Sequence, residues 1–282
     1  MDIILDHINN LRGMFHIGTF SFIYAFCGGI FGLVMGSFTD LVADRTLEDR
    51  KWWGTERSRC PACDKVLGPL ELIPVISFVV QKRKCRGCGS LIPWECLWAE
   101  LLCMMLYGVL WGFHAPLTMP WLLGSVLIPL FMIHIITDLK TMTLCDSVTL
   151  IIFLAALSVR VYGSFSGGEY RIGDGLLGAV IASGIFLILS MLGAMGFGDT
   201  VLMAGLGMIT GVAGIPFVIY SACLMCMAWY IFRCGARCIA RISASPHFVT
   251  LQEAKEIALA EREVPYGPWL CLGAYFWIVF FI

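Results

Sequence analysis

Long apolar runs separated by short polar breaks dominate this chain. A helix that crosses the hydrocarbon core of a bilayer needs about 20 mainly apolar residues, within a range of about 17 to 25. Read in that unit, the pattern predicts spans near 17–42, 96–114, 120–137, 147–163, 175–195, 200–213, 215–232 and 266–282. The sixth is short and carries Gly205, Gly207, Gly211 and Gly214, the composition of a broken or tightly packed helix. Small residues let helices approach closely in lipid. The expectation is an all-α polytopic membrane protein of about eight transmembrane helices, with about seven as the alternative. The polar stretch 247–263 has the spacing of a short amphipathic connector helix, with Thr250 as its cap and Glu253 three residues on. No internal repeat stands out.

Composition supports the membrane reading. Of 282 residues, 59% are hydrophobic and only 14% are charged, where a soluble domain carries roughly a quarter. Mean hydropathy is +0.84. A net charge of -1 leaves no electrostatic footprint for nucleic acid, and none is expected as a partner. The N-terminus, with Asp2, Asp6 and His7, lacks the basic start of a cleavable signal peptide, so the first apolar run is expected to stay in the membrane.

Charge distribution then orients the chain. Arg45, Arg50, Lys51, Arg57, Arg59, Lys65, Lys82, Arg83, Lys84 and Arg86 crowd the segment 44–95, and Arg233, Arg237, Arg241, Lys255 and Arg262 the segment 233–264. The turn 115–119 has no basic residue, the loop 164–174 only Arg171, and the N-terminal tail only Arg12. Basic loops stay cytoplasmic, so both basic segments, with the loops at 138–146 and 196–199, are expected there and the N-terminus outside. The expected organisation is a first transmembrane helix over 1–43, a small cytoplasmic loop domain over 44–95, and a transmembrane core over 96–282 with a connector at 233–264.

Two aspartates carry the candidate chemistry. Asp138 closes one apolar run and Asp199 ends Gly196-Phe197-Gly198-Asp199 between two others. Each alone reads equally well as a boundary residue. The two glycines free the backbone for close approach by another segment and for conformations other residues resist. With two spans between them, both aspartates fall at helix ends on the same side. Two neighbouring carboxylates share a proton; one then serves as base on a water while the other polarises a carbonyl. That is aspartyl peptidase chemistry. Asp146 competes for the first position and ranks as a supporting residue or the start of the next helix. No Gly-x-Ser-x-Gly elbow is present, and His134, one turn before Asp138, reads as a packed helix residue.

Cys60-Pro61-Ala62-Cys63 and Cys85-Arg86-Gly87-Cys88 sit in the basic loop. Paired C-x-x-C motifs at this spacing supply a tetrahedral thiolate shell for Zn²⁺ with no open position, hence a structural, zinc-ribbon-like site. Redox or free thiols are the alternative. Gly87 and Gly89 suit the tight turn of a knuckle. Cys223 and Cys226 have the same spacing inside an apolar span and read as packing.

These elements occur in a recognisable order. Gly36-Ser37-Phe38 with Arg45, the first cysteine pair, Ile73-Pro74-Val75 with Ser77, the second pair, Glu100, Asp138 with Asp146, Gly196 to Asp199, and Pro265 with Gly267-Pro268 together resemble the type IV prepilin peptidases, over about residues 32 to 275. The resemblance implies a multi-pass bacterial inner-membrane enzyme with its active site facing the cytoplasm. It implies prepilins or pseudopilins of a pilus or type II secretion system as substrates, cut after the glycine that follows a short basic leader. Members with the cysteine loop often also N-methylate the new terminus with S-adenosylmethionine. The family's catalytic aspartates fall on Asp138 and Asp199. Three positions depart from its pattern: Val201 stands in place of a lysine, Asp40 of an asparagine and Cys145 of a proline. The competing expectations are a peptidase without methyltransferase activity, a non-enzymatic metal-dependent assembly factor, and a transporter. The last is disfavoured because the dyad lies at one face rather than at mid-membrane.

Overall fold

The computed structural model describes residues 21–51, 57–114, 118–165, 171–243 and 264–282. The predicted connector helix with Thr250 and Glu253, and the N-terminal tail, lie outside the described residues. Among the described residues seven principal helices follow in order: α1 (Phe22–Leu47), α2 (Trp94–Phe113), α3 (Met119–Thr141), α4 (Asp146–Phe165), α5 (Ile172–Met191), α6 (Phe197–Ser243) and α7 (Gly267–Phe281). Short helical turns Pro69–Glu71 and Ile76–Val80 lie in the loop between α1 and α2. Among the described residues no strand forms, and six helices are long and apolar enough to cross a membrane. Helix α7 is apolar but shorter.

The sixth and seventh predicted spans fall within α6, and a break at Gly211 (φ 66, ψ -174) divides it. In an unbroken helix, positions 199 and 223 would stand about 36 Å apart at about 1.5 Å per residue. Yet Tyr266 interacts electrostatically with Asp199 and meets the Cys223 thiol at 3.1 Å. Further along, Trp229 packs on Trp269 and Phe217 on Trp277, at ring centroid distances of 5.9 and 5.6 Å, so 212–243 runs antiparallel to α7. The chain therefore turns back at Gly211, and the described residues form eight apolar helical segments, the number the hydrophobic pattern predicts.

An ion pair between a buried arginine and a half-exposed aspartate holds this turn. Arg160 of α4, 5% exposed, donates to the Met208 carbonyl at 3.1 Å, the Ile209 carbonyl at 2.9 Å and Asp174 Oδ2 at 3.0 Å. Asp174 Oδ1 accepts the Val212 N–H at 3.2 Å. The break orphans the last carbonyls of one half-helix and the first N–H groups of the next. Arg160 and Asp174 supply the missing partners. A cation inside an apolar span needs such a role.

Close helix contact explains a second glycine pattern. Gly28, Gly32 and Gly36 recur every fourth position along α1 and face α2. A Cβ at Gly28 would meet the Tyr107 carbonyl at 2.6 Å, and one at Gly36 the Glu100 Cα at 2.5 Å. Backbones packed this tightly gain dispersion contact that bulkier side chains would forfeit.

At one end of the bundle, Lys140 Nζ of α3 pairs with Asp44 Oδ1 of α1 at 2.6 Å, which brings the long α1–α2 loop beside the α3–α4 loop. The Arg160 clamp and the contact of Phe113 with Phe280 lie at the other end. Helices α1 and α3 run beyond the predicted apolar limits, to Leu47 and Thr141. An apolar limit marks the membrane border, whereas a helix ends only where its hydrogen-bond ladder does.

Candidate active site

Asp138 lies inside the last turn of α3 rather than in the loop after it, and is only 6% exposed. The helix stops four residues later, where Met142 turns left-handed (φ 53) and its N–H returns to the Asp138 carbonyl. Asp138 Oδ2 accepts the N–H of Gly267 at 3.1 Å. Gly267 opens α7, so the carboxylate satisfies one of the donors that every helix N-terminus leaves orphaned, at the positive end of its dipole.

Asp199 is the third residue of α6 and accepts the N–H of Gly196 immediately before that helix. This is one half of a capping box, the acidic N3 side chain reaching back to the cap. The Asp138 and Asp199 carboxylates interact electrostatically, and both also act on the buried Cys271 of α7. Leu144 ties the same corner together. A Cβ on Gly198 would lie 3.3 Å from the Leu144 side chain, and one on Gly267 would lie 3.1 Å from it. The end of α3, the α3–α4 loop and the starts of α6 and α7 thus converge on the two aspartates.

The other predicted residues divide. Gly198 serves close approach, but neither Gly196 nor Gly198 adopts a left-handed backbone. Asp146 is exposed in the first turn of α4, favourable to the helix dipole, and makes no hydrogen bond to either aspartate among the described residues. His134 is fully buried, with Nε2 3.1 Å from the Thr149 hydroxyl, as a packed residue would be. Leu144, Tyr266 and Cys271 were not singled out by the sequence; only Pro265 and Gly267-Pro268 pointed to that corner. Asp40 has a counter-charge, since its Oδ1 faces Lys140 Nζ at 3.8 Å.

The four loop cysteines meet in one cluster, their Sγ atoms all within 4.8 Å of one another. Cys60 and Cys88 are 3.9 Å apart, Cys63 and Cys85 4.0 Å. A tetrahedral ion with bonds of about 2.3 Å sets its sulfurs about 3.8 Å apart. The set fits a metal ion.

Two knuckles of the same build present the cysteines, a short structural repeat. Cys60 N–H bonds to the Lys65 carbonyl at 3.0 Å and Asp64 N–H to the Cys60 carbonyl at 2.9 Å; Cys85 N–H bonds to Ser90 at 2.9 Å and Gly89 N–H to Cys85 at 2.9 Å. The turning residue after each pair is left-handed, Asp64 (φ 57) and Gly89 (φ 74). Hydrogen bonds from the Ala62 N–H and the Ser90 hydroxyl pull the Cys60 thiol down to about 6. The Lys65 N–H pulls Cys63 the same way, but desolvation and its cysteine neighbours win and push it up to about 12. Four crowded sulfurs cannot all carry charge unless a cation offsets them.

Known proteins resemble this chain over most of its length. Residues 30–113 match the model described as Bacterial Peptidase A24 N-terminal domain, and residues 125–231 match the Type IV leader peptidase family. A Prepilin leader peptidase/N-methyltransferase of Bacillus subtilis (strain 168) is 33% identical over 70% of this chain and 77% of its own. The chain belongs to the type IV leader peptidase family. Proteins of the same name from Aeromonas salmonicida (strain A449) and Vibrio cholerae are 26% and 24% identical, over 87% and 81% of this chain and 87% and 94% of their own. No solved structure matches. In this leader peptidase family member, the first match covers most of α1, the cysteine loop and α2, and the second reaches from α3 into α6. Helix α7 lies beyond both, yet it supplies the Gly267 donor to Asp138.

Proposed function

We propose that this protein cleaves the leader from type IV prepilins or pseudopilins at the cytoplasmic face of the bacterial inner membrane, and N-methylates the terminus it exposes. The observation that carries the reading is the convergence of Asp138 and Asp199, from segments two spans apart, at one end of an apolar bundle. Family membership and the relatives' names supply the substrate and both reactions. Orientation follows from the ten basic residues of segment 44–95, which share the aspartate end with Lys140 and Asp44.

In the proposed mechanism the two carboxyl groups hold one proton between them. The ionised carboxylate draws a proton from water as the oxygen attacks the scissile carbonyl, and the protonated partner donates to the carbonyl oxygen. Collapse of the tetrahedral intermediate returns a proton to the departing amine. Gly267 keeps Asp138 in register by hydrogen bonding and by having no Cβ. A Cβ there would lie 2.9 Å from Asp138 Oδ2. Gly267→Ala is expected to lower cleavage about 10- to 100-fold while leaving protein yield unchanged, because a displacement of about 1 Å is enough to cost that much. Steady-state cleavage of a purified prepilin measures it.

The cysteine cluster is assigned to Zn²⁺ held by Cys60, Cys63, Cys85 and Cys88. With four protein ligands the ion supplies folding energy rather than catalysis. Pairing Cys60→Ser with Cys85→Ser should remove the bound metal, read by elemental mass spectrometry on the purified protein, and open residues 57–92 to protease. Metal retained at the wild-type level would overturn the assignment.

Methylation uses S-adenosylmethionine, which supplies an electrophilic methyl group. A shallow groove at the foot of the loop, between Lys65, Pro69, Glu71 and Arg86, does not fit that donor. Its carboxylate is already taken, since Glu71 accepts the Gly68 N–H at 2.8 Å and Lys65 Nζ at 2.9 Å. No residue is therefore assigned to the donor.

Co-expression with a prepilin, followed by mass spectrometry of the pilin N-terminus, tests both activities. A shortened, singly methylated chain is expected. An intact precursor would sink the peptidase reading, and a shortened unmethylated chain the methyltransferase half.

A further inference from the structure

The α1–α2 loop and the first turns of α2 carry an apolar surface that neither the cysteines nor the aspartates use. Leu70, Val79 and Trp98 are 68%, 65% and 65% exposed, and Ile76, Val80 and Leu91 are exposed as well. Ile76, Val79 and Val80 stand at i, i+3 and i+4 of their short helix and so share one face. A patch of this kind in water marks an interaction site.

Three features say what covers it. Phe78, from the same short helix, packs against Trp94 with ring centroids 5.3 Å apart, and Trp94 is the first residue of the membrane-crossing α2. The patch is therefore held beside the N-terminal end of α2, a helix long and apolar enough to cross a membrane. Exposed Trp94 and Trp98, one turn apart, continue it down the surface of α2, and tryptophan concentrates at the membrane–water boundary. Finally, exposed Lys82, Lys84 and Arg86 follow the short helix directly, while Arg83 lies over the Trp94 ring at 4.7 Å. Apolar side chains on one face with cations beside them are the composition of a segment lying in the interface of an anionic bilayer.

We infer that the cysteine loop is a membrane-docking module. Its face of Ile76, Val79 and Val80 sits at the acyl boundary, and Lys82, Lys84 and Arg86 bind anionic lipid headgroups. Docking holds both knuckles against the bilayer on the side of Asp138 and Asp199, where a membrane-anchored chain presents its polar end.

A benzophenone-bearing residue in place of Val80, in the full chain reconstituted into nanodiscs of phosphatidylcholine with or without phosphatidylglycerol, tests this independently of peptidase activity. Irradiation is expected to give phospholipid adducts by mass spectrometry, about fivefold more with phosphatidylglycerol. Replacing Lys82, Lys84 and Arg86 with glutamine should abolish that difference. Cross-links to residues 247–263, to a second copy or to added prepilin, or the absence of any adduct, would overturn the proposal. Equal yields in the two membranes would overturn its headgroup half.

Discussion

Asp138→Asn and Asp199→Asn are each expected to lower prepilin cleavage by about 10²- to 10⁴-fold, the range that a lost general acid or base commands. Asparagine is the informative replacement. Its carbonyl oxygen can still accept the Gly267 N–H in place of Asp138 or the Gly196 N–H in place of Asp199, so both helix caps survive. Expression, detergent stability and metal content should stay at wild-type levels while turnover falls. The double variant should be little worse than either single one, because two groups acting as a unit give non-additive losses. Asp146→Asn should have a much smaller effect, since its exposed carboxylate makes no hydrogen bond to the pair among the described residues. Normal processing by either Asp138→Asn or Asp199→Asn would end the dyad mechanism.

Gly211→Val is expected to prevent the protein from folding. The backbone there (φ 66, ψ -174) lies in a region essentially restricted to glycine. A Cβ would also collide with Asp174 Oδ2 and lie 2.9 Å from Arg160 Nη2. Backbone strain of about 1 to 3 kcal/mol adds to the cost of displacing the buried Arg160 guanidinium from the partners that satisfy it. A loss of a few kcal/mol is a large share of the stability of a typical domain, about 5 to 15 kcal/mol. Size-exclusion chromatography in detergent should show aggregated or absent protein. Arg160→Met should show the same trend, because it strips the Met208 and Ile209 carbonyls of their donor. Gly211 is at the far end of the bundle from Asp199, so a monodisperse, thermally normal Gly211→Val protein would remove the argument for the turn.

How much of this was legible differs from residue to residue. Spans were readable because bilayer thickness fixes a length and apolarity fixes a composition, and both are local properties. The cysteine cluster was readable because C-x-x-C spacing nearly determines that a knuckle forms. Glycines at 205 to 214 signalled a broken helix, but not which one turns the chain. The clamp at Arg160 went unnoticed, although an arginine inside an apolar run asks for a partner. The seam of Gly28, Gly32 and Gly36 escaped because its four-residue period matters only once α2 lies against it. The apolar face around Val79 was hidden within a loop defined by its charge.

By itself, then, the sequence determined the membrane class, the eight apolar segments, the family resemblance and the identity of the candidate aspartates and cysteines. Each depends on residue type, order or spacing along the chain. Only the tertiary structure decided that α6 doubles back at Gly211, that Gly267 and Leu144 close the corner around Asp138 and Asp199, and that Lys140 joins α3 to α1 through Asp44. These contacts join positions up to 129 residues apart. They arise from helices packing side by side, which no periodicity within one helix encodes.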